Sequence, residues 1–142
     1  MLDTINVYLD DGAFMPERAY DTDAGMDLRS PIKTCVWNGD SVTIDTGVHV
    51  EIPKGYCGVL IGKSGLNVKY GLNGSGLIDS GYSGSIVCKL YNMNNNTRNH
   101  HIEIGDKIIQ LVILPIETPK PVQVDKLWDS ERGANGFGST GN

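Results

Sequence analysis

Asn73-Gly74-Ser75-Gly76-Leu77-Ile78-Asp79-Ser80-Gly81-Tyr82-Ser83-Gly84 is the stretch whose reading decides the fold. It places four glycines, an apolar pair, one carboxylate and one aromatic ring within twelve residues. The pattern predicts a short strand over 76–79, a tight Ser-Gly turn, and a return strand over 85–91, together a β-hairpin. Gly74 and Gly76 lie on the approach, where a bare backbone lets a ligand come close. Asp79 at the tip, with Tyr82 three residues on, has the makings of a pocket with a catalytic group. Aspartate is also an ordinary solvated turn residue, so this stretch alone does not settle its role.

The apolar pattern on either side is that of an all-β chain. Ile5, Val7 and Leu9 alternate with polar neighbours, and Val42, Ile44, Val48, Val50 and Ile52 all fall on even positions. That period of two is the signature of half-buried strands, and Thr46-Gly47 interrupts it where a bulge or bend fits. Further strands are expected over 56–61, 85–93 and 107–114, with Met26 and Leu28 facing one way and Asp27 the other. Val122 and Val124 suggest a last edge strand. Ser64 as N-cap and Gly71 just past the end bracket the one expected helix, of about two turns. The expectation is a β-barrel or sandwich over 1–130 with one short helix, followed by a glycine-rich, mobile C-terminal arm over 131–142.

Composition narrows the function. A chain of 142 residues suits one domain, and its 18 glycines against two Phe and two Trp mark a turn-rich protein. The net charge of −5 argues against a general nucleic-acid binder. Cys35, Cys57 and Cys88 are widely spaced, as expected of reduced, structural thiols. No basic-then-apolar leader opens the sequence, and the longest apolar run, 108–116, is too short to span a bilayer. The expectation is therefore a soluble, cytoplasmic protein with no membrane partner.

Two familiar phosphate signatures fail. Gly62-Lys63-Ser64 ends like a Walker A loop, but Cys57 stands where the first glycine belongs. Gly136 to Gly141 spells G-x-G-x-x-G at the end of the chain, where no helix can follow. The underlying chemistry survives, because glycines with Ser and Thr expose N–H and hydroxyl groups that wrap phosphate. Ser64 at a helix start and Arg132 are candidate phosphate contacts. Phe137 is a ring on a polar arm, suited to stack on a nucleobase or to pack on a neighbouring subunit. His49, His100 and His101 show no metal-ligand spacing and receive no role. Trp37 and Trp128 are expected in the core or an interface. Together these features describe a nucleotide-binding β protein.

Five stretches in order carry a closer resemblance: Ala24-Gly25-Met26-Asp27-Leu28, Lys63-Ser64-Gly65-Leu66, Gly76 to Gly84, Gly105-Asp106-Lys107-Ile108-Ile109-Gln110-Leu111, and Arg132 to Gly141. They resemble the five motifs of the homotrimeric dUTPases, over nearly the whole chain. The resemblance implies a jelly-roll (β-clip) subunit, a homotrimer with sites shared between subunits, and hydrolysis of dUTP with Mg2+ on the phosphates. It implies that Asp79 orients the attacking water and that Tyr82 lies under the deoxyribose. Asn73 and the backbone around Gly76 and Ile78 would read uracil. Lys63, Ser64, Gly65 and Gln110 would hold the phosphate chain. Arg132, Gly138, Ser139 and Thr140 would clamp the γ-phosphate while Phe137 stacks on the base, and Asp27 would hold waters on the metal.

Four positions depart from the family pattern. Lys63 stands for a usual Arg, which turns a fork into a point charge. Gly62 stands for Pro, Gly81 for an acidic residue, and Asn135 for a Gly whose left-handed backbone Asn tolerates. Two other readings stay open: a dCTP deaminase of the same superfamily, which ammonia release would reveal, and a regulatory protein whose partner binding coexists with catalysis. If Tyr82 gates the sugar, Tyr82→Ala will raise turnover of UTP relative to dUTP. An unchanged ratio in a paired assay removes it from that role.

Overall fold

The structure is a computed structural model that describes residues 2–94, 98–139 and 141. Eleven strands and one short helix are present among these residues. In chain order they are β1 (Val7–Leu9), β2 (Met26–Arg29), β3 (Thr34–Val36), β4 (Ser41–Asp45), β5 (Val48–Val50), β6 (Tyr56–Ile61), α1 (Ser64–Tyr70), β7 (Leu72–Asn73), β8 (Ser75–Ile78), β9 (Val87–Asn92), β10 (His100–Ile102) and β11 (Lys107–Pro115). The strands form a four-stranded sheet β2-β11-β6-β8, a three-stranded sheet β4-β9-β7, and the pairs β1-β5 and β10-β3. All of these pairings are antiparallel. The fold is an all-β jelly roll, as expected, although the strands paired among the described residues do not close into a single barrel.

One apolar cluster joins the sheets. Leu28, Leu60, Ile78, Ile109 and Leu111 enter it from the four-stranded sheet, and Ile44, Leu72, Cys88 and Leu90 from the three-stranded one. The even-position alternation in 42–52 is real, because Ile44, Val48, Val50 and Ile52 are all buried. The bend at Thr46-Gly47 divides the run into β4 and β5, which pair with different partners. Thr46 makes that bend at no polar cost although it is fully buried. Its hydroxyl donates to the Ile86 carbonyl at 2.6 Å and accepts from the Val48 N–H at 3.2 Å. Cys57 and Cys88 are buried free thiols, and burial pushes Cys88 up to about 12, so it stays protonated and inert.

Several expectations need correction. The segment 73–84 is not a simple hairpin: β8 pairs with β6, whereas β9 pairs with β4 and β7. The Asp79–Ile86 connection therefore passes from one sheet to the other, a non-local pairing that turn residues alone do not reveal. Ser64 is the first helical residue and Lys63 the N-cap, with no side-chain capping bond, while Gly71 caps the C-terminus at φ 64° as expected. Residues 122–124 form no strand, since Pro119 and Pro121 withhold donors and no sheet edge is paired there. Of the two places expected for Trp37 and Trp128, core or interface, the structure excludes the core, since both are exposed in the single chain.

β11 carries a feature that spacing did not suggest. Its pairing with β2 slips between Lys107 and Ile109. An extra residue there lets the adjacent Ile108 and Ile109 both be buried. It also turns Lys107 toward the face that carries Gln110, three positions on.

Thr46→Val keeps the side-chain volume but deprives the Val48 N–H of its hydroxyl partner. It should lower unfolding free energy by about 1–3 kcal/mol, read from denaturant midpoints at fixed protein concentration; an unchanged midpoint would show that the backbone repairs itself.

Candidate active site

Asp27, Lys63, Lys107 and Gln110 meet where β2, the β6–α1 junction and β11 come together. Asp27 sits opposite Gln110 across the β2–β11 ladder. Its side chain is only 9% exposed. An isolated carboxylate so placed would lose its hydration, and this one is compensated twice. Lys63 Nζ donates to Oδ1, and Lys107 Nζ lies 2.9 Å from Oδ2. Burial alone would push the Asp27 carboxyl up. The hydrogen bonds and charges of the two lysines outweigh that and hold it below the usual carboxylate range.

A guanidinium could grip both carboxylate oxygens at once; here two ammonium groups take one oxygen each. Gln110 Nε2 donates to the Gly62 carbonyl at 3.4 Å, which fastens β11 to the turn before α1. Ser64 and Gly65 open that helix and are exposed. Lys107, to which sequence reasoning assigned no role, is a second cationic neighbour of Asp27. Only the slipped register on β11 brings it to Asp27.

The Asp79–Ile86 connection builds a separate cavity of about 210 Å³, lined by Leu77, Ile78, Asp79, Tyr82, Ser85 and Val87. The Tyr82 N–H donates to the Asp79 carbonyl at 3.2 Å, closing the turn that presents the Asp79 side chain. The Tyr82 hydroxyl donates to the Ser85 carbonyl at 3.0 Å. The ring lies so close to Gly84 that a β-carbon there would collide with the hydroxyl. Gly81 has φ 84°, which suits glycine and would strain the acidic residue usual in the family.

Asn73 is exposed at the end of β7, and its side-chain carbonyl accepts the Gly74 N–H at 2.9 Å. The same oxygen fills the space that a side chain at position 62 would need, which accounts for Gly62. Gly76 pairs with Leu60, and Ile78 pairs with Gly58.

The C-terminal arm forms no strand or helix among its described residues. Arg132 Nε donates to the Asn135 carbonyl at 2.9 Å, a bond within the arm. Phe137 is fully exposed at φ 51°, and Gly138 and Ser139 are exposed beside it. Phe137, not Asn135, takes the left-handed backbone. Thr140 lies outside the described residues.

The chain thus gathers Asp27, Lys63 and Gln110 in one place, and Ile78, Asp79 and Tyr82 in another. The cavity that holds Asp79 is lined by none of the phosphate candidates.

No group of three His, Cys, Asp or Glu side chains with metal-binding geometry occurs among the described residues. Asp27 is a hard carboxylate of the kind magnesium accepts through its waters, but both its oxygens are held by lysines here, so it would serve a metal only once one lysine has moved away.

A family model described as dUTPase matches residues 11–141. Among curated relatives, a protein named deoxyuridine 5'-triphosphate nucleotidohydrolase from Tropheryma whipplei (strain Twist) is 38% identical over 133 residues, covering 92% of this chain and 90% of its own length. The protein of the same name from Thermobifida fusca is 40% identical over 136 residues, covering 94% and 75%. Among solved structures, the Staphylococcus bacteriophage 80alpha dUTPase with dUpNHpp superposes with a TM-score of 0.92 at 34% identity, covering 99% of this chain and 100% of that one. A dUTPase from phage phi11 of S. aureus, described as coordinating a structural Mg(II) ion, gives 0.79 at 33% identity over 87% and 98%. With its family model spanning all but the ends, and full-length relatives well above 30% identity, this chain belongs to the dUTPase family.

Proposed function

We propose that this chain hydrolyses dUTP to dUMP and pyrophosphate at sites assembled from more than one copy of the chain. One observation carries the shared-site reading. Asp79 and Tyr82 line a cavity with no phosphate-binding candidate in it, while the arm's Phe137 is wholly uncovered. A homotrimer of the family's kind joins these parts, with Asp79 from one copy facing Asp27, Lys63 and Gln110 of a second and the arm of a third.

In that arrangement Asp79 accepts a hydrogen bond from the attacking water and aims its oxygen at the α-phosphorus. A new P–O bond forms in line with the bridging α–β bond, which breaks as pyrophosphate departs. The water's proton passes through Asp79 to solvent. Holding water and phosphorus in line is itself a large part of such a rate enhancement. Asp79 needs no exotic basicity when positioning is its main task.

Lys63, Ser64, Gly65 and Gln110 receive the phosphate chain. As Lys63 swings from Asp27 to phosphate, Lys107 stays on the carboxylate and keeps it ionised. The freed Asp27 oxygen is then available to waters on magnesium. The metal supplies neutralisation of charge on the phosphate oxygens. Arg132, Gly138, Ser139 and Thr140 close on the γ-phosphate, and Phe137 covers the uracil, excluding bulk water. Asn73, with the backbone at Gly76 and Ile78, pairs with the uracil edge. Tyr82 packs under the deoxyribose, where a 2′-hydroxyl would not fit.

Pyrophosphate release measured across dUTP, dCTP, dTTP and UTP, with and without Mg2+, tests the reaction. Selective release from dUTP is expected, and ammonia from dCTP would overturn it in favour of a deaminase. Asp79→Asn should cut kcat by about 10²-fold or more while leaving dUTP affinity within a few-fold, since only general-base positioning is lost. Truncation at Ser130 should be comparably inactive.

Co-refolding these two inactive variants tests the shared site. Mixed assemblies can place an intact Asp79 beside an intact arm from another copy, so activity should return. A mixture as inactive as its components would show that each site is built within one chain.

A further inference from the structure

His49 on β5 lies between two groups that can only accept hydrogen bonds. Its Nδ1 is 2.8 Å from the Ser83 carbonyl oxygen, inside the Asp79–Ile86 connection. Its Nε2 is 3.1 Å from both oxygens of the Asp10 carboxylate. A neutral imidazole carries one N–H and must leave one of these acceptors facing a lone pair, whereas an imidazolium donates to both.

The surroundings agree. Asp10 and Asp45 are the charged groups acting on the ring, and both are acidic. Tyr8 on β1 meets it edge-on at 5.3 Å, and Glu51, just past the end of β5, lines the same cavity of about 310 Å³. No lysine or arginine lines that cavity. The Ser83 carbonyl and the neighbouring acids accordingly hold His49 above the usual histidine range.

β5 grips the connection a second time through its backbone, because the Ile86 N–H donates to the Val48 carbonyl at 2.7 Å. Asp10 is itself fixed to the bend after β4, its N–H donating to the Gly47 carbonyl at 2.9 Å. His49 is thus the only side chain of β5 seen to tie the far limb of the Asp79 turn to the body. Ser83 directly follows Tyr82, so the position of that limb sets where the ring and the Asp79 carboxylate lie.

We propose that His49 is a positioning residue for the dUTP-hydrolysing site, acting as an imidazolium that ties the Ser83 carbonyl to Asp10 and so holds the Asp79–Tyr82 turn in its working place. The inference rests on the functional reading above. Because the group's folded-state value is raised, the tie is complete below the ordinary histidine value and is lost as pH rises through the folded one.

The test couples a resonance to a rate. In labelled protein, the Gly84 amide nitrogen reports on the Ser83 carbonyl and should titrate together with the His49 ring, in a step that lies above the ordinary histidine value. Over that step kcat for dUTP should fall about three- to tenfold, as expected for losing one charge-assisted hydrogen bond at a partly exposed site. KM should follow its own, separate profile. His49→Gln should hold the lower kcat at every pH, and Asp10→Asn should move the step to lower pH. His49→Arg, with a permanent charge and donors for both acceptors, should keep the higher kcat throughout.

A Gly84 resonance indifferent to the His49 titration would overturn the proposal, and so would the same kcat step persisting in His49→Gln. The resonance needs no turnover. A wild-type protein that released no pyrophosphate from dUTP would therefore refute the functional reading while leaving the tie to be judged by Gly84 alone.

Discussion

A carboxylate taken out of water at the junction of three chain segments is the constraint on which the cluster of Asp27, Lys63, Lys107 and Gln110 depends. Asp27 brings β2, the turn before α1 and the start of β11 to one point, and none of the three can shift without uncovering charge. The Coulombic attraction of one lysine would partly offset the lost hydration of a nearly buried carboxylate. Two lysines leave a net positive charge at the spot. That surplus gives the cluster its chemical direction, since a polyanion entering there is attracted even while Asp27 stays ionised. On the proposed reading, the atoms of the structural ion pair are also those that meet the substrate phosphates.

The slip in β11 makes this possible. In a regular antiparallel ladder, residues 107 and 110 would face opposite sides. The extra residue re-aims Lys107 while letting two adjacent isoleucines enter the core, so one irregularity serves packing and electrostatics together. Bulges recur beside functional sites for this reason.

Much of the fold was legible in the sequence because its signals are local. Even-position alternation marked 42–52, the break at Thr46-Gly47 marked the bend, and Gly71 marked the end of the helix. The family motifs singled out Asp27 and Lys63, which the structure brings into contact, and Asp79 and Tyr82, which line one cavity. What escaped notice depends on partners distant in the chain. The short strands β3 and β7 exist because β10 and β9 lie beside them, not by their own pattern. The passage of 79–86 between two sheets, the reach of Lys107 to Asp27, and the tie from His49 to Ser83 are long-range pairings that single-residue reading cannot supply. The supposed strand at 122–124 failed in the opposite way, since its local pattern found no edge to join.

From Ile116 to the end, nearly every described residue is exposed, including Val122, Val124, Leu127, Trp128 and Phe137. A chain that leaves so much apolar surface uncovered in its last fifth has a strong incentive to lend that surface out. If neighbouring copies are the borrowers, specific activity becomes a mass-action quantity. Dilution would remove the arms along with the neighbours, silencing each subunit well before any of them unfolded.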